Sequence, residues 1–287
     1  MKADAPAKIN LALDITGRRE DGYHLLNMVV QSVSLCDEIS AAKAEAGVLE
    51  AVCDDASVPC GADNTVMRAA RAFFEKTGVS PGFGIRFYIK KRIPQQAGLG
   101  GGSTDAAAAL RLLNKLFNTR LSAGQLQSIG LMAGADVPFC VEGGTAFVSG
   151  IGENIVQIFS MPPCYIVLCR PDVGISTSKA YLDYDRQHCK QTCCSMQVRN
   201  ALRLGSLAEI GKSLENAFEL AGVPDEIHKI EEKMLEYGAT GSCMTGSGSA
   251  VFGIFTDYAE AAACKNGLAL EYKMTFLCLP LQRQKIL

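Results

Sequence analysis

The sequence predicts an α+β fold divided into two domains, residues 1–160 and 161–287. Three observations carry this prediction. From Lys2 to Ile15 every odd position from Ala3 onward is apolar and the even ones are mainly polar, the two-residue period of a half-buried strand. Residues 84–117 read as a strand, a glycine-rich loop and an Ala- and Leu-rich helix. The second half is dominated by helical periods with strands between them, without the regular alternation of a parallel α/β sheet. A chain of 287 residues suits one large domain or two of ordinary size.

In chain order, the first strand leads into a polar turn, Gly17 to Gly22, and a returning strand, Leu25 to Leu35, with Tyr23 and His24 at the mouth of the hairpin. Apolar residues at helical spacing run from Asn64 to Lys76, with Asp63 or Asn64 as N-cap and Gly78 as the stop. Gly84 to Lys91 is a strand, Arg92 to Gly102 the glycine loop, and Ser103 is placed to cap a helix from Thr104 to Phe117. Ser122 to Ala133 is a further helix, Gly134 to Phe139 a turn, and Gly143 to Gly152 a glycine-punctuated hairpin region. Ser160-Met161-Pro162-Pro163 marks the domain junction. After the strand Tyr165 to Cys169, helical periods cover 178–184, 196–204, 206–220 and 224–237. A glycine-rich stretch (238–249), a strand (Ala250 to Phe255), a helix near Asp257 to Leu268 and a final strand complete the chain.

Apolar residues make up 48% and charged residues 20% of the chain, which excludes disordered, collagen-like and coiled-coil classes. The 28 basic and 30 acidic residues give a net charge of -2, so the basic footprint of a nucleic-acid binder is missing, although a local anionic ligand is compatible. The longest apolar run, Cys164 to Cys169, is far shorter than the ~20 residues of a membrane helix. Asp4, Lys8 and Asn10 interrupt any secretory h-region, so a cytoplasmic chain with reduced thiols is expected despite its 12 cysteines. His188-Cys189-Lys190-Gln191-Thr192-Cys193-Cys194 lacks the paired spacing of structural zinc sites, and no protein-held metal is expected there.

The segment carrying the most chemistry is Pro94-Gln95-Gln96-Ala97-Gly98-Leu99-Gly100-Gly101-Gly102-Ser103-Thr104-Asp105. Its glycines let backbone approach a ligand closely, and the helix start beyond them offers unpaired N–H groups and the positive end of the helix dipole, the makings of an anion site. It is neither G-x-G-x-x-G, since Ser103 takes the last position, nor a G-K-[ST] P-loop. Gly241-Ser242-Cys243-Met244-Thr245-Gly246-Ser247-Gly248-Ser249 is a second glycine cluster just before a strand. Taken singly, each loop also fits a plain turn, Lys8 a solvated lysine on a strand's polar face, and Asp136 in Gly134-Ala135-Asp136-Val137-Pro138-Phe139 either a helix cap or a catalytic carboxylate.

Together these segments resemble one superfamily. Pro6-Ala7-Lys8-Ile9-Asn10-Leu11, Pro94-x-x-x-Gly98-Leu99-Gly100-Gly101-Gly102-Ser103 and Gly246-Ser247-Gly248 are similar, in order, to the three motifs of the galactokinase, homoserine kinase, mevalonate kinase and phosphomevalonate kinase (GHMP) superfamily. Gly17-Arg18-Arg19-Glu20-Asp21-Gly22-Tyr23-His24 and the Asp136 segment further resemble its branch acting on 4-diphosphocytidyl-2-C-methyl-D-erythritol in non-mevalonate isoprenoid synthesis. The resemblance implies a ribosomal protein S5 domain 2-like N-terminal domain that binds ATP, a ferredoxin-like C-terminal domain that binds substrate, and an active site between them.

It further implies ATP-dependent phosphorylation of the substrate's 2-hydroxyl, with Asp136 as general base, Lys8 as its partner and Mg2+ arriving with ATP. Pro94, Gly98, Leu99, Gly100, Gly101, Gly102, Ser103 and Thr104 would hold the ATP phosphates, and Asn64 and Lys91 would sit near its nucleoside. Tyr23, His24 and Tyr181 would bind cytosine, while Asn10, Thr177, Gly246, Ser247 and Gly248 complete the substrate side. The partner is thus a small cytidine diphosphate derivative, with no nucleic acid or membrane, and the chain a monomer or weak homodimer. Two departures stand out: Thr104-Asp105, where relatives often carry Ser followed by Asn or Asp, and a cysteine-rich insertion, Gln187 to Ser195, that matches no motif. The alternatives are another GHMP kinase, acting on homoserine or a mevalonate derivative, which needs no Asp-Gly-Tyr-His segment, and a non-catalytic nucleotide sensor, which would be expected to have lost Lys8 or Asp136.

Overall fold

The computed structural model describes residues 1–80, 82–187, 189 and 193–284. The chain runs β1 (Lys2–Arg18), β2 (His24–Ala44), β3 (Leu49–Cys53), α1 (Thr65–Thr77), β4 (Gly84–Lys90), α2 (Gly101–Leu116), α3 (Ala123–Leu131), α4 (Val137–Glu142), β5 (Thr145–Gly150) and β6 (Asn154–Gln157). It continues through β7 (Tyr165–Arg170), α5 (Thr177–Gln187), α6 (Cys194–Leu204), α7 (Leu207–Lys212), β8 (Glu215–Asn216), α8 (Asp225–Glu236), β9 (Gly241–Met244), β10 (Val251–Phe255), α9 (Tyr258–Ala269) and β11 (Met274–Cys278).

The first sheet has the order β3-β4-β2-β1-β8, and β2 is long enough to pair β4 through Glu38–Ala44 and β5 through Leu26–Gln31. The second is the antiparallel sheet β11-β7-β10-β9. Mainly antiparallel sheets with helices packed against them make this an α+β architecture. One apolar cluster fills the space around α1 and α2, with Phe73, Phe87, Leu110 and Leu113 fully buried. A second, with Ile9, Leu11, Val33, Ile166, Leu168 and Phe252, ties the first sheet to the second.

β1 departs from the expected half-buried strand, because Ala5 to Ile15 are buried without interruption. Bulges between Pro6 and Lys8 and between Asn10 and Ala12 reset which face each residue points to, so Ala7, Ile9 and Leu11 join one cluster while Ala5, Leu13 and Ile15 join the other. Lys8 is therefore 5% exposed rather than solvated. The first helix matches its local signals: the Asn64 side chain accepts from Val66 N–H, and Gly78 closes α1 in the left-handed conformation.

Three other segments are corrected. α2 starts at Gly101 with Gly100 as N-cap and no side-chain cap, so Ser103 lies inside the helix. The Gly134 to Phe139 turn passes into α4. The helix expected over 206–220 is instead α7, the short strand β8 and a 3-10 turn at Glu219–Ala221, because β8 adds a strand beside β1 and buries Asn216, whose Nδ2 donates to the carbonyls of Met244 at 2.9 Å and Gly246 at 2.8 Å. Tertiary pairing outweighs a helical period here.

The chain end also returns to the first sheet, with Leu281 N–H donating to the Ser32 carbonyl at 2.8 Å and Gln284 N–H to that of Glu142 at 2.8 Å. Among the described residues no cysteine forms a disulfide, and no described helix is long and apolar enough to cross a membrane. His188 and residues 190–192 of the cysteine-rich segment lie outside the described residues.

Candidate active site

The two glycine loops meet over Lys8. A Cβ at Gly98 would stand 2.0 Å from the Thr245 carbonyl oxygen, and Gly98 adopts φ +72°, so only glycine lets the first loop lie against the second. Gly100, at φ +70°, leaves room for the Lys8 stem, which would pass 2.9 Å from an added Cβ. The contact is fixed by backbone: Lys8 N–H donates to the Leu99 carbonyl at 3.0 Å and Ala250 N–H to that of Ala97 at 3.2 Å. The Thr245 hydroxyl in turn accepts from Asn10 N–H at 2.9 Å.

These contacts aim Lys8 into a cleft of about 910 Å³. Its Nζ donates to Asn10 Oδ1 at 2.7 Å and lies 4.0 Å from Asp136 Oδ2. The Asp136 side chain is 46% exposed at the start of α4 and makes no helix-capping hydrogen bond, so the capping reading fails. On one flank of this pair, the first N–H groups of α2 have no side-chain cap and stand ready for an anion. On the other, Thr177 Oγ1 and Ser247 Oγ lie 2.9 Å apart and join α5 to the second glycine loop.

Behind the first loop, Lys91 Nζ donates to Asp37 and, at 2.9 Å, to Asp105 Oδ2. Burial works against the Lys91 charge, but Asp105 and Asp37 outweigh it and raise the pKa. Burial also pushes the Asp105 carboxyl up to about 7; Lys91 pulls the other way and Asp37 adds to the rise. One cation thus faces two buried carboxylates. Asp37 also accepts from Ile93 N–H at 2.8 Å, whereas Asp105 Oδ1 has no partner, so Asp105 is the less well satisfied carboxyl of the two and the one whose proton burial holds more tightly.

At the far end, the His24 ring stacks on Tyr181 with centroids 4.5 Å apart, and Phe218 meets Tyr181 edge-on. Burial, with a smaller contribution from Asp136, pushes the Tyr181 phenol up to about 12. Tyr23 also lines the cleft but is 62% exposed, whereas Tyr181 is packed between His24 and Phe218.

Most of the expected residues converge: Lys8, Asn10, Tyr23, His24, Lys91, Pro94, Gly98 to Ser103, Asp136, Thr177, Tyr181 and Gly246 to Gly248 all line the cleft. Asn64 does not, being occupied as the α1 cap, and neither does Thr104, which is 1% exposed on the core side of α2. Sequence reasoning missed Asp185, Arg18 and Phe218 in the cleft wall, and Asp37, Asp105, Asn216 and Thr245 behind it. For Asp185 a signal existed, since it lies one helical turn beyond Tyr181 and so on the same face. A smaller groove between the end of α1 and α3, about 500 Å³ and lined by Lys76, Thr77, Gln125 and Ser128, gathers no comparable set of buried polar groups.

Two family models match the chain, the GHMP kinases N terminal domain over residues 64–144 and the GHMP kinases C terminal domain over residues 198–273. A 4-diphosphocytidyl-2-C-methyl-D-erythritol kinase from Clostridium beijerinckii is 40% identical over 283 residues, covering 96% of this chain and 99% of the relative. Another from Caldicellulosiruptor bescii is 42% identical over 257 residues, 89% of each chain. A crystal structure of a 4-(cytidine 5'-diphospho)-2C-methyl-D-erythritol kinase superposes with a TM-score of 0.82 at 30% identity, over 98% of this chain and 99% of that one.

Proposed function

The chain belongs to the 4-diphosphocytidyl-2-C-methyl-D-erythritol kinases of the GHMP superfamily, and from that premise we propose that it transfers the γ-phosphoryl group of ATP to the 2-hydroxyl of that substrate, with Asp136 as general base and Lys8 as its partner. The observation that carries the residue assignment is the Lys8–Asp136 pair at 4.0 Å, placed between the uncapped start of α2 and the second glycine loop.

Transfer of this kind needs in-line placement of the hydroxyl, a proton acceptor beside it and neutralisation of the migrating charge. Asp136, half exposed in the cleft, takes the hydroxyl proton as the new P–O bond forms and the bond to ADP breaks. The buried Lys8 ammonium, held by Asn10, keeps Asp136 oriented and stabilises negative charge building on the attacking oxygen. The first-turn N–H groups of α2 and the backbone of Gly98 to Gly102 receive the phosphates. The buried Lys91–Asp37–Asp105 cluster supports that loop from below, since Lys91 Nζ would stand 3.2 Å from a Cβ at Gly101.

Mg2+ fits the donors present. The Ser103 hydroxyl offers a hard oxygen in the cleft, while no group of three or more His, Cys, Asp or Glu side chains capable of holding a metal occurs among the described residues. The ion's remaining positions would therefore fall to phosphate oxygens and water, and when bound it supplies neutralisation of the phosphate charge. Asn64, held as the α1 cap outside the cleft, is withdrawn from the ATP site, while Lys91 is kept near its nucleoside; Tyr23, His24 and Tyr181 stay assigned to cytosine, with Asn10, Thr177, Gly246, Ser247 and Gly248 on the substrate side. We also propose a domain boundary at 160/161, a cytoplasmic location and a monomer or weak homodimer; limited proteolysis and light scattering test the first and last.

Asp136→Asn tests the assignment. The amide keeps the shape and removes the base, so kcat should fall by ~10² to 10⁴ while substrate affinity changes much less. A variant with undiminished kcat removes Asp136 from the mechanism.

A further inference from the structure

Tyr181 and Asp185 lie on one face of α5 and hold the same imidazole from different sides. Tyr181 stacks on the His24 ring, while His24 Nε2 lies 2.7 Å from Asp185 Oδ1. The carboxylate is itself braced. Arg18 Nη1 donates to Asp185 Oδ2 at 3.2 Å, and Arg18 Nε donates to the Gly22 carbonyl at 3.0 Å, which ties Asp185 to the turn that carries His24. The His24 side chain is 9% exposed and lines the cleft, and among the described residues its Nδ1 has no hydrogen-bond partner.

An ionised carboxylate only accepts, so Nε2 carries the proton, and in the neutral ring Nδ1 is then an acceptor. We propose that Asp185, braced by Arg18, is a positioning residue that fixes His24 in the Nε2–H tautomer and so makes Nδ1 an acceptor selective for an amino-bearing pyrimidine edge over a keto one. Cytosine presents its N4 amino donor where a uracil presents the O4 acceptor, and two acceptors facing each other in a largely buried site leave both unpaired. Stacking on an aromatic face tolerates either base, so discrimination falls to the hydrogen bond that Asp185 sets. This inference rests on the proposed reading of His24 as a cytosine contact.

Asp185→Asn preserves shape but can donate through its amide, which lets Nε2 become the acceptor and moves the proton to Nδ1. A carboxylate-to-amide change beside a catalytic histidine traps the wrong tautomer in serine proteases for the same reason. The test has two arms on the full-length protein. Calorimetric titration of CDP and UDP, with a non-hydrolysable ATP analogue filling the nucleotide site, should show CDP bound more tightly by the parent. In Asp185→Asn, CDP affinity should fall roughly ten-fold or more while UDP is unchanged or improved. Nitrogen-15 spectra of the imidazoles, with His24→Ala giving the assignment, should show a protonated Nε2 and bare Nδ1 in the parent, and the reverse or a mixture in Asp185→Asn.

A parent ring protonated at Nδ1 overturns the inference, and so does an unchanged tautomer and CDP preference in Asp185→Asn. In either case the reading of His24 stands if His24→Ala erases the preference. Equal CDP and UDP affinities in the parent overturn that reading itself, and the selection with it, whatever the spectra show.

Discussion

Replacing Gly98 by alanine should damage activity far more than a single added methyl would at most positions. The residue holds φ +72°, a left-handed conformation that costs a non-glycine residue ~1–3 kcal/mol. The new Cβ would stand 2.0 Å from the Thr245 carbonyl oxygen and 2.9 Å from its carbon, and both are backbone atoms that no rotamer change can move aside. Contacts below 3.0 Å are essentially never adopted by real Cβ atoms, so the two glycine loops must part by about 1 Å. Thr245 holds the Asn10 backbone, and Asn10 holds the Lys8 ammonium, so the shift reaches the pair proposed to carry the transfer.

A misplacement of ~1 Å there is worth ~10²-fold in rate. Steady-state ADP release should therefore show kcat/KM down about 10²-fold, and thermal denaturation should show a Tm several degrees lower, at ~2–4 °C per kcal/mol for a chain approaching this size. Gly124→Ala is the matched control. An added Cβ meets nothing within 4 Å, and the position lies inside α3 without a positive φ, so activity should hold and stability should rise by ~0.5–1 kcal/mol. A Gly98→Ala enzyme with the parent's kcat/KM and Tm would refute the argument that the loops depend on this contact.

Lys8→Ala should lower kcat about as severely as Asp136→Asn, and the double variant should lose much less than the product of the two, because the residues act as a unit; strict additivity in the kinetics would leave Lys8 a purely structural role. Glu219 gives a pH prediction. Burial first, then the neighbouring Glu231, raises its carboxyl from 4.5 to about 8, so the folded chain holds that proton more tightly than the unfolded one. The stabilisation is full below the ordinary carboxylate range and is lost as pH rises towards 8. Glu219→Gln keeps the acceptor for Met244 N–H and offers a donor to the unpartnered Glu231 Oε1, so its Tm should exceed the parent's at pH 8 and match it near pH 5; parallel Tm–pH curves would contradict this. With no disulfide among the described residues, activity should be unchanged in strong reductant, and loss of activity there would point to a disulfide the fold depends on.

What the sequence discloses is mostly what is local. Asn64 and Gly78 bracket α1 because a cap needs only its own turn, and the glycine loop before α2 reads as an anion site because backbone conformation and helix end are encoded within a few residues. Where the outcome depends on a distant partner, the reading fails. Leu207, Ile210, Leu214 and Phe218 have helical spacing, yet the segment breaks so that β8 can pair β1 and Asn216 can hold two carbonyls of the second glycine loop. The alternation of β1 is real, but two bulges switch its faces: Ala7, Ile9 and Leu11 pack with the second sheet, and the two glycine loops close over Lys8 on the opposite side, which turns it from a surface lysine into a buried ammonium. Lys8 and Asp136 could be paired only through the family resemblance, since 128 positions separate them and nothing in either local pattern names the other. The stacking of His24 on Tyr181 and its bond to Asp185 likewise join a hairpin to a helix more than 150 residues away.

The most direct measurement is turnover with ATP and Mg2+ of 4-diphosphocytidyl-2-C-methyl-D-erythritol beside homoserine and mevalonate, with phosphorus NMR locating the new phosphate. The account predicts strong preference for the cytidine substrate and a single phosphomonoester on the 2-oxygen, formed by the parent and nearly abolished in Asp136→Asn. Phosphorylation at another hydroxyl, or faster turnover of homoserine or mevalonate, would contradict it.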